Sequence, residues 1–148
     1  MYANTDLGFA PCTAQAVLEI LRFYGIDPKG KRATVIGRPV SMLLMHANAT
    51  VTTCHTRTVD VPAIAREADI LVCAAGVMKS VTEAFTNPDQ VVVDVGIHFD
   101  EETGKLTGDV DFDRVAPVVK AITPVPGGVG GVTTCVLLDH VLKAASAV

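Results

Sequence analysis

The sequence has few aromatic and charged residues, and it lacks the long apolar runs and basic stripes that are typical of membrane and nucleic-acid partners. It has no tryptophan, only 5% aromatic residues and 19% charged residues, below the roughly 25% charged residues of average globular domains. No apolar run approaches the roughly 20 residues of a membrane-spanning helix, so we expect no membrane partner. The net charge of −4 comes without a basic stripe, so we expect no nucleic-acid partner. These absences favour a well-packed globular domain.

Secretion and metal binding also lack their usual signals. The opening residues, MYANTDLGF, have neither the basic start nor the apolar centre of a secretory signal. Cys12, Cys54, Cys73 and Cys135 form no CxxC pair and lie in or beside apolar segments, so we predict reduced cysteines. The four histidines give no metal-ligand pattern either. We therefore expect a cytoplasmic protein without a metal site.

The 148 residues are enough for one domain, expected over residues 1–148, and too few for two ordinary ones. Short apolar runs rich in β-branched residues alternate with helical patterns. Because these runs lack polar alternation, they are typical of central strands in a parallel sheet. Strands are predicted at 33–37, 49–53, 69–74, 90–96 and 120–124. The alternation predicts an α/β fold, a Rossmann-type doubly wound parallel sheet with helices on both faces.

Helical segments are predicted at 11–25, from Pro39 to residue 48, at 61–68, at 111–121 with an interruption at Pro117, and in the tail. Two of them carry an apolar face at helical spacing. On the first helix this face holds Val17, Leu18, Leu21 and Tyr24, and on the tail helix it holds Leu138, Val141, Leu142 and Ala145.

Two glycine-containing turns compete as the phosphate-binding turn. A dinucleotide's pyrophosphate normally meets the turn after the first strand, here VIGRPVS, which contains Gly37 but no GxGxxG pattern. The run PVPGGVGG at 124–131 is richer in glycine, but only one helix follows it, so it opens no strand–helix–strand unit. We expect this run to form a ligand-facing wall; the alternative is a plain turn that caps the last helix.

The segment CHTRT indicates which dinucleotide is preferred. Enzymes that prefer NAD usually carry Asp or Glu about 20 residues past the glycine turn. Here that region holds Thr56 and Arg57, and Arg38 from the neighbouring turn is close enough in the predicted sheet to join them. Because Arg forms charge-assisted hydrogen bonds to phosphate oxygens, the pattern favours NADP over NAD. The alternative is a solvated polar loop without a ligand.

Several segments together resemble one enzyme family. They are GFAPCTAQAVLEIL, GKRATVIGR, NATVTTCHTRT, ADILVCAAG, VVVDVGI, GDVDF and ITPVPGGVG, in this order from about Gly8 to Leu142. They are similar to the C-terminal domain of the bifunctional methylenetetrahydrofolate dehydrogenase/methenyltetrahydrofolate cyclohydrolase family, and ITPVPGGVG is the most specific of them.

The resemblance implies a cytosolic homodimer of one-carbon metabolism. It implies oxidation of 5,10-methylenetetrahydrofolate by NADP, followed by hydrolysis of the methenyl product to 10-formyltetrahydrofolate. Together with the CHTRT pattern it gives the expected cofactor-binding residues Gly37, Arg38, Thr56, Arg57, Gly96 and Ile97. It also implies that Pro126, Gly127, Gly128, Val129 and Gly130 line the folate side.

The chain departs from the family pattern in three places. The turn after Arg38 is shorter by about six residues and lacks the family's Ser and second glycine, which removes backbone donors for the pyrophosphate. Gly131 stands where the family has Pro. The family's Tyr, Lys and Asp of the N-terminal domain have no counterpart here.

His55, His98, Asp94 and Asp109 are the candidates for a replacement acid–base group. A histidine in such a domain is more often structural, and Asp94 is better explained by hydrogen bonds to the adjacent loop. Lys79 and Lys105 are expected to be solvated surface residues. The sequence shows no nucleophile–base pair, so no catalytic residue is predicted.

Three hypotheses remain open on the sequence alone. The chain is the NADP-binding part of a folate dehydrogenase/cyclohydrolase, or a non-catalytic binding or interaction module with a truncated phosphate turn. A small dehydrogenase of the same fold, such as a shikimate-type enzyme, is the third, and the folate-type tail argues against it.

Overall fold

The computed structural model describes residues 8–37 and 39–146. Its strands are β1 (Arg32–Ile36), β2 (Thr50–Cys54), β3 (Ile70–Cys73), β4 (Val91–Asp94), β5 (His98–Asp100), β6 (Lys105–Thr107) and β7 (Ala121–Ile122). Its helices are α1 (Cys12–Phe23), α2 (Pro39–His46), α3 (Val61–Arg66), α4 (Phe112–Val115) and α5 (Val129–Ser146), with a 3-10 helix at Glu83–Phe85.

Five of the strands form one parallel sheet in the order β2-β1-β3-β4-β7. Their apolar side chains alternate between two cores. Val35, Val72 and Val93 join one core with α1, α2 and α5. Leu71 and Val92 join the other core with α3 and α4. Burial on both faces explains why the strands read as unbroken apolar runs, and the predicted α/β fold is confirmed.

The antiparallel hairpin of β5 and β6 was not predicted. Each strand has only three residues, and Phe99 pairs with Leu106 on an exposed surface. Such a short half-polar segment carries no apolar run or alternation long enough to stand out. The hairpin branches from the main sheet directly after β4 and the short segment Val95–Ile97.

The two predicted apolar helix faces have different environments. On α1, Val17, Leu18 and Leu21 are buried, whereas Tyr24 lies just beyond the helix and is 70% exposed. On α5, the side chains that pack toward α1 are Val129, Val132, Val136 and His140. The predicted face of α5 is instead exposed, and it comprises Leu138, Val141, Leu142 and Ala145. Helical spacing identifies an apolar face but not what covers it.

No helix among residues 8–37 and 39–146 is long and apolar enough to cross a membrane.

Replacing Leu21 and Leu138 by Ala tests the placement of these two faces. Leu21 is 0% exposed, so Leu21→Ala should lower the free energy of unfolding by about 2–5 kcal/mol through lost burial and a cavity. Leu138 is 60% exposed, so Leu138→Ala should change it by no more than about 0.5 kcal/mol in this chain. Urea unfolding followed by circular dichroism measures both. Equal losses would contradict the exposed position of Leu138.

Candidate functional site

The carboxyl ends of β1, β2, β3 and β4 lie at one edge of the sheet because these strands are parallel. In open α/β sheets, ligands bind in the crevice beyond this edge. The loops that follow the four strands there contain Gly37, Thr56, Gly76 and Ile97. Three of these residues, Gly37, Thr56 and Ile97, were predicted from the sequence as cofactor contacts, and the fold brings them to one edge of the sheet.

Gly37 is held where the turn after β1 passes the end of β3. Its φ of +140° is rarely adopted by other residues, and an added Cβ would lie 2.8 Å from the Ala74 carbonyl oxygen. The Gly37 N–H donates to the Cys54 carbonyl at 3.2 Å. Glycine is therefore required here by backbone conformation and by close packing.

The connection from β1 to α2 has only two residues, Gly37 and Arg38, since α2 begins at Pro39. Proline has no N–H, so it offers no backbone donor to a phosphate group. Arg38, a predicted cofactor contact, lies outside the described residues. The short turn expected from the sequence is thus present in the structure.

Thr56 and Arg57 lie in a compact turn after β2. The His55 N–H donates to the Thr58 hydroxyl at 2.9 Å, and the Arg57 N–H donates to His55 Nδ1 at 3.1 Å. The side chains of Thr56 and Arg57 are exposed. Among the described residues, the Arg57 guanidinium has no ion-pair partner, so it is available to an anionic ligand.

Ile97 and Gly130 are neighbours although 33 positions separate them in the sequence. Gly96 is buried, whereas Ile97 is 61% exposed. The Ile97 Cδ1 atom lies 3.5 Å from the position of a Cβ added to Gly130. The predicted nicotinamide end and the predicted folate side therefore lie next to each other at this edge.

The glycine run divides between a turn and a helix. Gly127 has a φ of +99°, and a Cβ at Gly128 would overlap the Pro124 carbonyl oxygen. Gly130 lies in the first turn of α5, where it is exposed. Pro126 and Gly127 are also exposed, but the Val129 side chain is only 4% exposed and packs in the core with α1. Of the predicted substrate residues, Val129 therefore presents no side chain to a ligand.

Asp94, at the end of β4, is buried and accepts three backbone hydrogen bonds. Its Oδ1 accepts from Gly96 at 2.9 Å and from Asp109 at 3.1 Å, and its Oδ2 accepts from Val110 at 2.9 Å. Burial raises the pKa of Asp94 above its ordinary value, against the opposing effect of these N–H donors. The expectation that Asp94 binds an adjacent loop is consistent with this geometry.

Asp109 forms a second buried acceptor beside Asp94. Its Oδ2 accepts from the Gly76 N–H at 3.0 Å, and its Oδ1 lies 2.7 Å from His98 Nε2. Since a carboxylate only accepts, His98 Nε2 carries the hydrogen. Asp109 was weighed only as an acid–base candidate in the sequence. The signal for these buried acceptors in the sequence was a pair of motifs, DVG at 94–96 and GD at 108–109, in which an acid lies close to a glycine.

The remaining polar candidates form no nucleophile–base pair among the described residues. His98 Nε2 is hydrogen bonded to Asp109, and His55 Nδ1 accepts a hydrogen bond from the Arg57 N–H within its own turn. Lys79, expected to be a solvated surface residue, instead forms an ion pair with Asp100 at 3.0 Å while remaining 43% exposed. In the described part of the chain, no three His, Cys, Asp or Glu side chains are placed to hold a metal ion.

All four cysteines are free. Burial raises the pKa of the Cys73 thiol well above its ordinary value, and the charges of Asp94 and Asp109 raise it further. Burial also raises the pKa of Cys54. Both thiols are therefore held in their unreactive protonated form near neutral pH.

A groove of about 1550 Å³ lies between the end of α1 and strands β3, β4 and β7. At one end it reaches Gly127 and Gly128, but Thr56, Arg57 and Ile97 do not line it. The predicted dinucleotide contacts therefore belong to the edge of the sheet rather than to this groove.

Known proteins are similar to this chain in sequence and in fold. Residues 11–148 match the family model described as the NAD(P)-binding domain of tetrahydrofolate dehydrogenase/cyclohydrolase. The chain is 54% identical to the bifunctional protein FolD of Carboxydothermus hydrogenoformans over 97% of this chain and 53% of that protein. It spans about half the length of the curated relatives that it matches.

Two solved structures have the same fold over nearly the whole chain. The bifunctional FolD dehydrogenase/cyclohydrolase from Campylobacter jejuni has a TM-score of 0.91 and 41% identity, covering 96% of this chain and 52% of that one. The Trypanosoma brucei dehydrogenase-cyclohydrolase, complexed with NADP and an inhibitor, has a TM-score of 0.83 and 42% identity. That match covers 90% of this chain and 50% of that one.

Replacing Gly37 by Ala tests the tight turn after β1. The positive φ and the contact with Ala74 should together lower the free energy of unfolding by roughly 2–4 kcal/mol. Gly104→Ala is the control, because Gly104 has a φ of +68° but no atom near an added Cβ, so it should cost only about 1–2 kcal/mol. Urea unfolding measures both variants. Equal losses would show that the contact with Ala74 does not constrain the turn.

The Lys79–Asp100 pair predicts a pH dependence of stability. The hydrogen bond from Lys79 lowers the pKa of Asp100, so the contribution of the pair is present above the unfolded pKa and lost as pH falls through the lowered folded value. The stability difference between the unaltered chain and Lys79→Met should therefore shrink in acid. Lys29→Met, at an exposed lysine in the turn before β1, is the control. A pH-independent difference for Lys79→Met would contradict the pair's contribution.

Proposed function

The chain belongs to the tetrahydrofolate dehydrogenase/cyclohydrolase family as its NAD(P)-binding domain, and from this premise we propose that it binds NADP within a bifunctional enzyme of one-carbon metabolism. In this enzyme a hydride passes from 5,10-methylenetetrahydrofolate to NADP, giving the methenyl compound and NADPH. Water then adds to the methenyl compound to give 10-formyltetrahydrofolate. The observation that carries the proposal is the proximity of Ile97 to Gly130.

This proximity supports the proposal because hydride transfer requires the cofactor and the folate to bind side by side. The loop of Gly96 and Ile97 is assigned to the nicotinamide end of the cofactor. The glycine run from Pro126 to Gly130 is assigned to the folate. When bound, the cofactor supplies the hydride acceptor, and the residues of this edge hold it against the substrate.

The turn after β2 supports NADP as the cofactor. Thr56 offers a hydroxyl and Arg57 a guanidinium, both exposed, and the turn from Cys54 to Thr58 contains no carboxylate. A 2′-phosphate fits such donors, because charge-assisted hydrogen bonds from Arg are strong and a carboxylate would repel the phosphate. We assign Gly37 and Arg38 to the neighbouring phosphate-binding turn on the family resemblance.

The proposal places acid–base chemistry outside the described residues. The described residues offer binding and orientation but no unoccupied acid–base pair at the edge of the sheet. We therefore propose that the reacting groups lie in the portion of the relatives that this chain does not span. The same resemblance leads us to propose a cytoplasmic homodimer that acts on tetrahydrofolate one-carbon derivatives and has no nucleic-acid or membrane partner.

A second candidate is a non-catalytic binding or interaction module. It is favoured by one observation, the two-residue connection between β1 and α2. With Pro39 directly after Arg38, few backbone N–H groups are left for a pyrophosphate. Titration of the purified chain with NADPH separates the two candidates. Saturable binding supports the first, whereas a folded chain that binds neither NADPH nor NADH supports the second.

Replacing Thr56 and Arg57 together by Ala tests cofactor selection. The double variant should bind NADP at least about tenfold more weakly, because a hydrogen bond to a charged group contributes about 1.5–3 kcal/mol. Its affinity for NAD, which lacks the 2′-phosphate, should change much less. Isothermal titration calorimetry measures both affinities.

Lys29→Ala is the matched control for the double variant. Lys29 is an exposed cation in the turn before β1, at the opposite edge of the sheet. Its loss should leave both affinities unchanged. Equal losses of NADP and NAD binding in the double variant would remove this turn from cofactor selection.

A further inference from the structure

Two buried carboxylates lie behind the loop that carries Ile97. Asp94 is 3% exposed and Asp109 is 0% exposed, so neither can contact a ligand in solvent. They sit at the carboxyl edge, between the ends of strands and the loops that follow them. Neither carboxylate takes part in the proposed binding contacts, so their burial needs another explanation.

The Asp94 carboxylate binds backbone of the loop that carries Asp109, and the Asp109 carboxylate packs against the loop that follows Asp94. The Asp94 carboxylate accepts from the N–H groups of Asp109 and Val110. In turn, the Asp109 carboxylate packs against Gly96, where an added Cβ would overlap Asp109 Oδ1. A Cβ at Gly108 would likewise overlap Asp94 Oδ2. The two loops can pack this closely only because glycine stands at both contact points.

The contacts of this pair extend to the ligand-facing residues on both sides. His98, which holds Asp109 at 2.7 Å, directly follows Ile97 in the chain. The Asp94 N–H donates to the Thr123 hydroxyl at 2.9 Å, and Thr123 immediately precedes the run that contains Gly130. His98, next to Ile97, is therefore linked to the Asp109 carboxylate, and Thr123, ahead of the run that contains Gly130, is linked to the backbone of Asp94.

Carboxylates suit this role because several N–H donors converge on them. Within the described residues, the two side chains receive hydrogen bonds from four backbone N–H groups and one imidazole. A carboxylate accepts at both oxygens, whereas an amide would turn an N–H₂ group toward at least one donor. Leaving a buried donor unpaired costs free energy, which makes the loop geometry depend on both charges.

We propose that the Asp94–Asp109 pair positions the Gly96–Ile97 loop and thereby sets the affinity for the nicotinamide half of the dinucleotide. Both acids are positioning residues that act through the backbone of this loop. The inference rests on the proposed cofactor site and deepens it, since it separates the nicotinamide end of that site from the 2′-phosphate end at Thr56 and Arg57.

The test compares the whole cofactor with a fragment that does not reach Ile97. Binding of NADPH and of adenosine 2′,5′-bisphosphate is measured by calorimetry for the unaltered chain, Asp109→Ala and His98→Ala. His98→Ala removes only the outer partner of the pair and serves if Asp109→Ala does not fold. Lys105→Ala, at an exposed lysine of the same hairpin, is the matched control.

The variants should bind NADPH on the order of tenfold more weakly and bind the fragment unchanged, because a lost or misaligned hydrogen bond to the nicotinamide half is enough for a loss of this order. Amide hydrogen exchange at Gly96, followed by NMR without ligand, should accelerate in Asp109→Ala and not in Lys105→Ala. Conservation of the fragment's affinity is the result that a loss of general stability would not produce.

Two other outcomes overturn the inference in distinguishable ways. If the unaltered chain binds NADPH but the variants match Lys105→Ala, or lose both ligands equally, the positioning role is wrong and the proposed function stands. If the unaltered chain binds neither NADPH nor the fragment, the proposed cofactor site fails, and the link between this pair and a cofactor fails with it.

Discussion

The edge of the sheet depends on one buried charge, the carboxylate of Asp94. It closes the end of β4 by accepting from Gly96, and it fixes the loop after the hairpin by accepting from Asp109 and Val110. Taking a carboxylate out of water is unfavourable unless such donors replace the lost hydration. The geometry of these loops is therefore tied to the requirement that the charge remain fully hydrogen bonded.

Close approach is the second constraint, and glycine meets it at each contact. Gly37 passes the end of β3, Gly96 and Gly108 pack against the two acids, and Gly128 packs against the Pro124 carbonyl. A side chain at any of these positions would separate elements that have to meet. At these four positions glycine allows close packing, and the run at 127–131 combines this role with an exposed surface beside Ile97.

The family assignment and the departures from the family pattern concern different levels of structure. The sequence and the fold are similar to those of bifunctional dehydrogenase/cyclohydrolases. The two-residue connection after β1 instead limits the backbone donors available to a pyrophosphate. The apolar face of α5 that comprises Leu138, Val141, Leu142 and Ala145 is exposed in this chain. The chain spans about half the length of the relatives that it matches.

The sequence by itself determined the sheet, its five strands, the two-residue turn after β1 and the family, because apolar runs and short sequence motifs are local signals. It also indicated Thr56, Arg57, Gly96 and Ile97 as candidate contacts, which remain predictions. Only the tertiary structure decided that Ile97 lies beside Gly130, that Val129 belongs to the core, and that the Asp94 carboxylate binds the backbone of Asp109 and Val110. The residues of each relation lie at least 15 positions apart, and spacing along the chain carries no information about which distant backbone donors converge on a buried carboxylate.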